Sequence, residues 1–189
     1  METKLILGSA SERRRKILNT LAVAFSVVVP QVEEVNHDDD PRRAASENAL
    51  RKNVWCRHHY PGHFIITADT VIDFEGHCIG KPADLAGATD MMRKFSGQPH
   101  TVITAVAFST PDSAPVVRLV ESNVTFLKLD AGAIRAYFAG VNPLDKAGAY
   151  DIDQRPDLII ESFKGSRTNI MGLPRDTVRA WLEEQELLE

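Results

Sequence analysis

Asp69 closes the apolar run Phe64-Ile65-Ile66-Thr67-Ala68, and Gly80-Lys81-Pro82 follows a few residues later. An ionisable group at the end of such a run is costly to desolvate unless it is hydrogen-bonded or has a chemical task. An aspartate can take a proton or hold a hard cation; the plainer reading is a strand-end carboxylate that caps a turn or helix through backbone N–H groups. A second constellation stands near the N-terminus, where Lys4-Leu5-Ile6-Leu7 leads into Gly8-Ser9-Ala10-Ser11 and the block Glu12-Arg13-Arg14-Arg15-Lys16. Small residues allow close backbone approach, a helix start offers unpaired N–H donors, and arginine forks match phosphate oxygens. The segment therefore reads as a polyphosphate cradle, against the simpler picture of Ser11 as an N-cap and the arginines as a solvated helix face. Neither a Gly-x-x-x-x-Gly-Lys P-loop nor a Gly-x-Gly-x-x-Gly fingerprint is present.

Hydrophobic periodicity outlines the elements that must carry these residues. Lys4–Leu7 and the apolar run from Phe64 up to Asp69 read as strands, and Phe25–Val29 as a third, broken by Pro30. Ser11 opens one helix, and Asp40-Pro41 opens another running to about Trp55, on which Asn48 and Lys52 share a face. His100–Phe108 and Val116–Leu127 form a hairpin around Thr110-Pro111-Asp112-Ser113, with helices over Asp84–Phe95, Asp130–Ala139 and Arg175–Leu187. The expected fold is α/β, a mixed twisted sheet flanked by helices.

The 189 residues, 43% of them hydrophobic, suit one domain over 1–189 with two lobes around a central cleft. A formal charge of −4 argues against bulk nucleic-acid binding, so the arginine block is a focused anion site. Without an apolar run of about 18 residues or a signal pattern, no membrane association is expected. Cys56 and Cys78 form no C-x-x-C pair, which suits a reducing, cytoplasmic setting. His58, His59 and His63, with Pro61 and Gly62 among them, read as an exposed turn rather than a metal site. Asp38-Asp39-Asp40 reads as a solvated loop ending in a helix cap, and Met91 and Met92 as core packing.

In order along the chain, Ser9-Ala10-Ser11-Glu12-Arg13-Arg14 resembles the Ser-x-Ser-Pro-Arg-Arg opening of the Maf family of nucleoside triphosphate pyrophosphatases. Asn48-Ala49 with Lys52 is similar to the family's Glu-Asn-Ala-x-x-Lys helix, and Ala68-Asp69-Thr70-Val71 with Gly80-Lys81-Pro82 to its catalytic segment. Phe95-Ser96-Gly97 with His100, then Asp145-Lys146-Ala147-Gly148-Ala149-Tyr150, and Gly172-Leu173-Pro174 complete the series. The chain departs from the family at Glu12, where proline is usual, and at Asp151-Ile152-Asp153-Gln154, where one branch has Gly-Ile-Gln-Gly.

The resemblance implies a hydrolase of acid anhydrides that cleaves nucleoside triphosphates to monophosphate and pyrophosphate, clearing non-standard or excess nucleotides. It also allows a homodimer. A triphosphate needs cations from several segments, and Arg13, Arg14, Lys52, Lys81 and Lys146 are available, with Ser9, Ser11 and Thr70 as further substrate contacts. Asp69 is the expected base. Glu34, with Asp69, would hold a divalent metal, Mg²⁺ or Mn²⁺, and Glu33 is the fallback ligand. The branch with Gly-Ile-Gln-Gly implies dTTP and UTP, placing Asp153 or, by a shift of one residue, Gln154 against the base. A non-catalytic nucleotide- or nucleic-acid-binding module linked to cell-division control would use the same cations without Asp69 or Glu34. A nucleotidyltransferase would release pyrophosphate but pass the nucleotide to an acceptor.

Overall fold

The computed structural model describes residues 4–188. Its seven strands are β1 (Leu5–Gly8), β2 (Ser26–Val28), β3 (Phe64–Phe74), β4 (His77–Ile79), β5 (Pro99–Ser109), β6 (Val116–Phe126) and β7 (Ile160–Lys164). They form one mixed sheet in the order β2-β1-β3-β5-β6-β7, with β4 paired to β3. β1 lies parallel to both β2 and β3, and the remaining pairs are antiparallel. The helices are α1 (Glu12–Asn19), α2 (Pro41–His59), α3 (Leu85–Phe95), α4 (Ala131–Phe138), α5 (Arg167–Ile170) and α6 (Arg175–Glu184).

Alternation along β3 divides the interior. Ile65 packs with Cys56, and Val71 with Ala45 and Ala49, so the small residues of α2 lie close against one face of the sheet. On the opposite face Ile66 and Ala68 join Leu5, Leu7, Leu18, Phe108 and Trp181, whereas Ile72 joins Phe95, Phe126, Tyr137 and Tyr150. These two clusters are the cores of two lobes. Each large side chain they bury is worth about 1.5–3 kcal/mol relative to exposure. Asp69 and Thr70 fall between them, one on each face.

The sheet leaves an opening at that point. β1 covers β3 only from Phe64 to Thr67, and β4 only from Ile72 to Phe74, so residues 68–71 have no strand on that edge. β5 runs along the whole other edge, from Ile65 to Asp73. Gly148 (φ 67) lets the far lobe close onto β3: a Cβ there would meet Ile72 Cδ1 at 2.3 Å and Phe95 Cε2 at 3.0 Å.

The expected strands, hairpin and helices are present, with four corrections. β3 continues to Phe74, so Asp69 is not a strand-end cap but a mid-strand residue opposite Ala105. α2 extends to His59, which places His58 and His59 in its last turn and only His63 beyond it. α6 stops at Glu184 instead of Leu187 because Leu187 N–H donates to the Leu182 carbonyl (2.9 Å) and Glu186 N–H to that of Glu183 (3.0 Å). This closes the helix with Glu186 at φ 54, where glycine is usual. β4, β7 and α5 were not expected, being too short for a periodic signal, and β7 meets β6 through a register shift at Thr125/Phe126.

Candidate active site

A cleft of about 450 Å³ occupies the opening beside residues 68–71 of β3, and its walls come from both lobes. Asp69 projects into it toward α2. Its Oδ1 accepts from Lys52 Nζ at 2.6 Å, and the same ammonium lies 2.6 Å from Glu34 Oε1. Glu34 is brought there by Asn48, four residues before Lys52 on α2. The Asn48 amide donates to the Val35 carbonyl (2.9 Å), and its Oδ1 accepts from Val35 N–H (2.8 Å). The 30s loop is thus pinned to the helix that carries the ammonium.

The two carboxylates differ in environment. Asp69 is 7% exposed, and burial pushes its carboxyl above the ordinary range although Lys52 and Arg14 pull it down. Glu34 is also opposed by burial, but its hydrogen bond to Lys52 and the charges of Lys52, Lys81 and Arg14 outweigh that and hold it below the usual range. One group is therefore disposed toward holding a proton and the other toward staying charged, an asymmetry suited to acid–base work. Cys78 also lines the cleft, with its thiol pushed up by burial and by neighbouring carboxylates. It is not an activated nucleophile.

At the start of α1 the structure shows the simpler arrangement, with Ser11 as the N-cap, while the two arginines that follow it are placed differently from each other. Ser11 caps α1, accepting from Arg14 N–H, while Ser9 Oγ accepts from Ser11 N–H at 3.1 Å. Arg14 does not present a free fork. Its Nε donates to Gly172 O (2.8 Å), Nη1 to Ala68 O (2.8 Å) and Ser9 Oγ (3.4 Å), and Nη2 to Thr70 Oγ1 (3.1 Å). It serves as a half-buried cation that satisfies the carbonyl left open at the gap in the sheet. Gly172, at φ 104, permits this approach, since a Cβ there would sit 3.3 Å from Thr70 Oγ1 and 3.4 Å from Arg14 Nε. Thr70 Oγ1 also bonds Thr104 Oγ1 at 3.0 Å, so Thr70 belongs to this clamp. Arg13 and the exposed Lys81 line the cleft from opposite lobes, and Lys81 has no ion pair among the described residues.

Four expected contacts fall outside the cleft lining, the first being Ser9, which is buried with its Oγ accepting from Ser11 N–H and Arg14 Nη1. Lys146 is 6% exposed and donates to Asn142 O (2.9 Å) and Asp145 Oδ1 (2.6 Å), so it folds its own loop while Asp145 lines the cleft. Asp153 turns outward to Arg167, which reaches its Oδ1 from Nε (3.0 Å) and Nη2 (2.9 Å). Gln154 turns back to Asp151 Oδ2 at 2.9 Å. The neighbouring Asp151 does line the cleft. Glu33 faces away, into a groove on the other side of α2 with Val54 and Trp55, so Glu34 is the carboxylate of this loop that faces Asp69. Asn48 and Asp151 had no assigned role in the sequence reading. Asn48 was visible there as the residue one turn from Lys52 and as part of the Asn48-Ala49 motif.

Fold and site together define an α/β protein with a cleft beside the gap in a mixed sheet, lined by both basic and acidic side chains, with a buried carboxylate at its centre. Two solved structures share the fold: the Ham1 protein of Staphylococcus aureus (TM-score 0.58, 15% identity, 96% of this chain and 98% of that one) and a HAM1 protein from Coxiella burnetii (TM-score 0.55, 13% identity, 95% and 98%). Residues 4–185 match the Maf-like protein family, and the chain belongs to it. Among its relatives are proteins named dTTP/UTP pyrophosphatase from Symbiobacterium thermophilum (39% identity, 90% of this chain and 88% of the relative), Aromatoleum aromaticum (38%, 92% and 91%) and Bacillus velezensis (35%, 97% and 97%).

Proposed function

We propose that this chain is a nucleoside triphosphate pyrophosphatase that hydrolyses dTTP and UTP to the monophosphate and pyrophosphate, and so removes unwanted nucleotides from the pool. The observation that carries the reading is the convergence of Asp69 and Glu34 on Lys52 inside a cleft that Arg13 and Lys81 enter from both lobes. A binding module would have no use for a buried, proton-accepting carboxylate beside its anion site. The choice of the α-phosphorus and of the base rests on the relatives' names. The chain acts as a single domain, in the cytoplasm, and its charge of −4 leaves nucleic acid aside as a partner.

In this mechanism Asp69 orients a water and accepts its proton as the oxygen bonds to the α-phosphorus and the bond to the β-phosphate oxygen breaks. Arg13 and Lys81 hold the departing pyrophosphate. A divalent cation, Mg²⁺ or Mn²⁺, suits the donor set: two hard carboxylates already converge on one cationic atom, Lys52 Nζ, within 2.6 Å of each. Glu34 and Asp69 would hold it, and it would offset phosphate charge. No group of three or more His, Cys, Asp or Glu placed to hold a metal ion occurs among the described residues, so the substrate and water would complete such a site. Glu34→Gln should therefore raise the metal concentration for half-maximal rate several-fold while changing the KM for nucleotide less. An unchanged metal titration would remove Glu34 from that role.

The deciding experiment supplies the purified protein with dTTP, UTP, CTP and 7-methyl-GTP in Mg²⁺ or Mn²⁺ and measures pyrophosphate and orthophosphate. Pyrophosphate in equal amount to monophosphate, fastest with dTTP and UTP, is expected. Orthophosphate as the product, or nucleotide found in a second product, would refute hydrolysis at the α-phosphorus.

A further inference from the structure

We propose that Asp151 is a positioning residue that fixes Arg13 across the cleft, presenting the guanidinium to the substrate's polyphosphate; the inference rests on the triphosphate reading above. Asp151 lies on the cleft wall with its side chain only 3% exposed. Its Oδ2 accepts from Arg13 Nη1 (3.0 Å) and Gln154 Nε2 (2.9 Å), and its Oδ1 from Asp153 N–H (3.0 Å). The backbone is held as well: Asp151 N–H donates to Tyr137 Oη (2.9 Å), and that hydroxyl donates to the Asp151 carbonyl (3.3 Å). Burial pushes the Tyr137 hydroxyl up to about 12, so it stays neutral and serves both bonds. A carboxylate held by three donors on a pinned backbone is an immobile anchor. It is not a reader of the base, because both oxygens are already engaged.

Arg13 reaches this anchor from α1, in the lobe opposite, and its side chain remains 35% exposed. An arginine has five N–H donors, and only Nη1 is engaged with Asp151, so the rest of the fork is open to the cleft. That is the reverse of Arg14, whose three nitrogens all serve protein oxygens. A free arginine loses rotamer freedom when it grips a phosphate, and one already held in place loses less. An anchor of this kind strengthens ground-state and transition-state binding alike, so its removal appears in KM and not in kcat.

The test is a double-mutant cycle on the full chain: Asp151→Asn and Asp151→Gly, each alone and combined with Arg13→Ala. Calorimetry with an α,β-imido analogue of dUTP and with UMP reports binding, and dTTP hydrolysis reports kcat and KM. Either Asp151 variant alone should weaken the analogue about 3- to 10-fold, as for a charge pair with one partner still partly exposed, with little change for UMP or in kcat. Asp151→Asn should lose less than Asp151→Gly, because its amide oxygen still accepts from Arg13. In the Arg13→Ala background neither change should weaken binding further. An equal loss in that background would show that Asp151 acts by shaping its loop, and tighter binding by Asp151→Asn would show that it repels phosphate; either result overturns the proposal. Should Asp151→Gly fail to fold, the Asp151→Asn cycle decides alone. A wild-type protein that binds and cleaves triphosphates without this coupling refutes the anchor only, whereas one that does neither refutes the function as well.

Discussion

Asp69→Asn is expected to fold like the wild-type protein and to lose at least about 10²–10⁴-fold in turnover, the usual contribution of a general base. The amide nearly matches the carboxylate in shape and can still accept from Lys52, which lies 2.6 Å from Oδ1, but it cannot take the proton of the attacking water. Stability serves as the control, and its sign follows from the environment. The folded protein holds Asp69 above its ordinary value of 3.8, so it binds that proton more tightly than the unfolded chain does. The resulting stabilisation is full below the unfolded value and is lost as pH rises through the folded one. At neutral pH the ionised Asp69 is therefore a net burden on the fold, and the neutral amide should not lower Tm. Thermal melts at neutral pH alongside kcat check both halves. Turnover within a few-fold of wild type would take Asp69 out of the chemistry, and a large drop in Tm would mean that lost activity reports unfolding.

The parts of this protein that could be read from its sequence are those with a strong local cause. Asp40, Asp84 and Asp130 each precede a helix and each cap it, accepting from the N–H three residues on. The hairpin of β5 and β6 is fixed by two long apolar segments around a Pro-Asp turn, and Asp69, Lys52 and Glu34 meet in the expected cleft. What could not be read was set by tertiary geometry. Whether an arginine faces a ligand or a carbonyl depends on which backbone group the sheet leaves open, and the gap at residues 68–71 exists only because β1 ends at Gly8 and β4 begins pairing at Ile72. Nothing in Arg13-Arg14 distinguishes the free fork from the committed one. The outward turn of Asp153 and the inward turn of Asp151 likewise depend on Arg167 and Tyr137, which lie 14 residues away on either side. Glu186 in the left-handed conformation hid the end of α6 for a simpler reason, since the usual glycine is not there.

Lys52→Met should destabilise the metal-free protein by about 3–5 kcal/mol at neutral pH, the usual cost of removing one partner of a buried pair. Methionine keeps the aliphatic stem on α2 and removes only the ammonium, which is 12% exposed and touches both Asp69 and Glu34. Asp69 then faces burial and the negative charge of Glu34 with Arg14 as its main remaining support, so its carboxyl is driven still further up. Because a raised folded value stabilises at low pH and ceases to as pH climbs through it, the deficit should shrink on acidification and grow toward neutrality. Two additions should restore stability near neutral pH: a divalent cation that takes the place of the ammonium between the carboxylates, and Asp69→Asn in the same chain, which removes the unpaired charge. Chemical denaturation in chelator, in Mg²⁺ and in the double variant, between about pH 5 and 8, separates these effects. A loss independent of pH and unrelieved by either addition would mean that Lys52 supports the fold through its packing on α2, and that the two carboxylates do not depend on its charge.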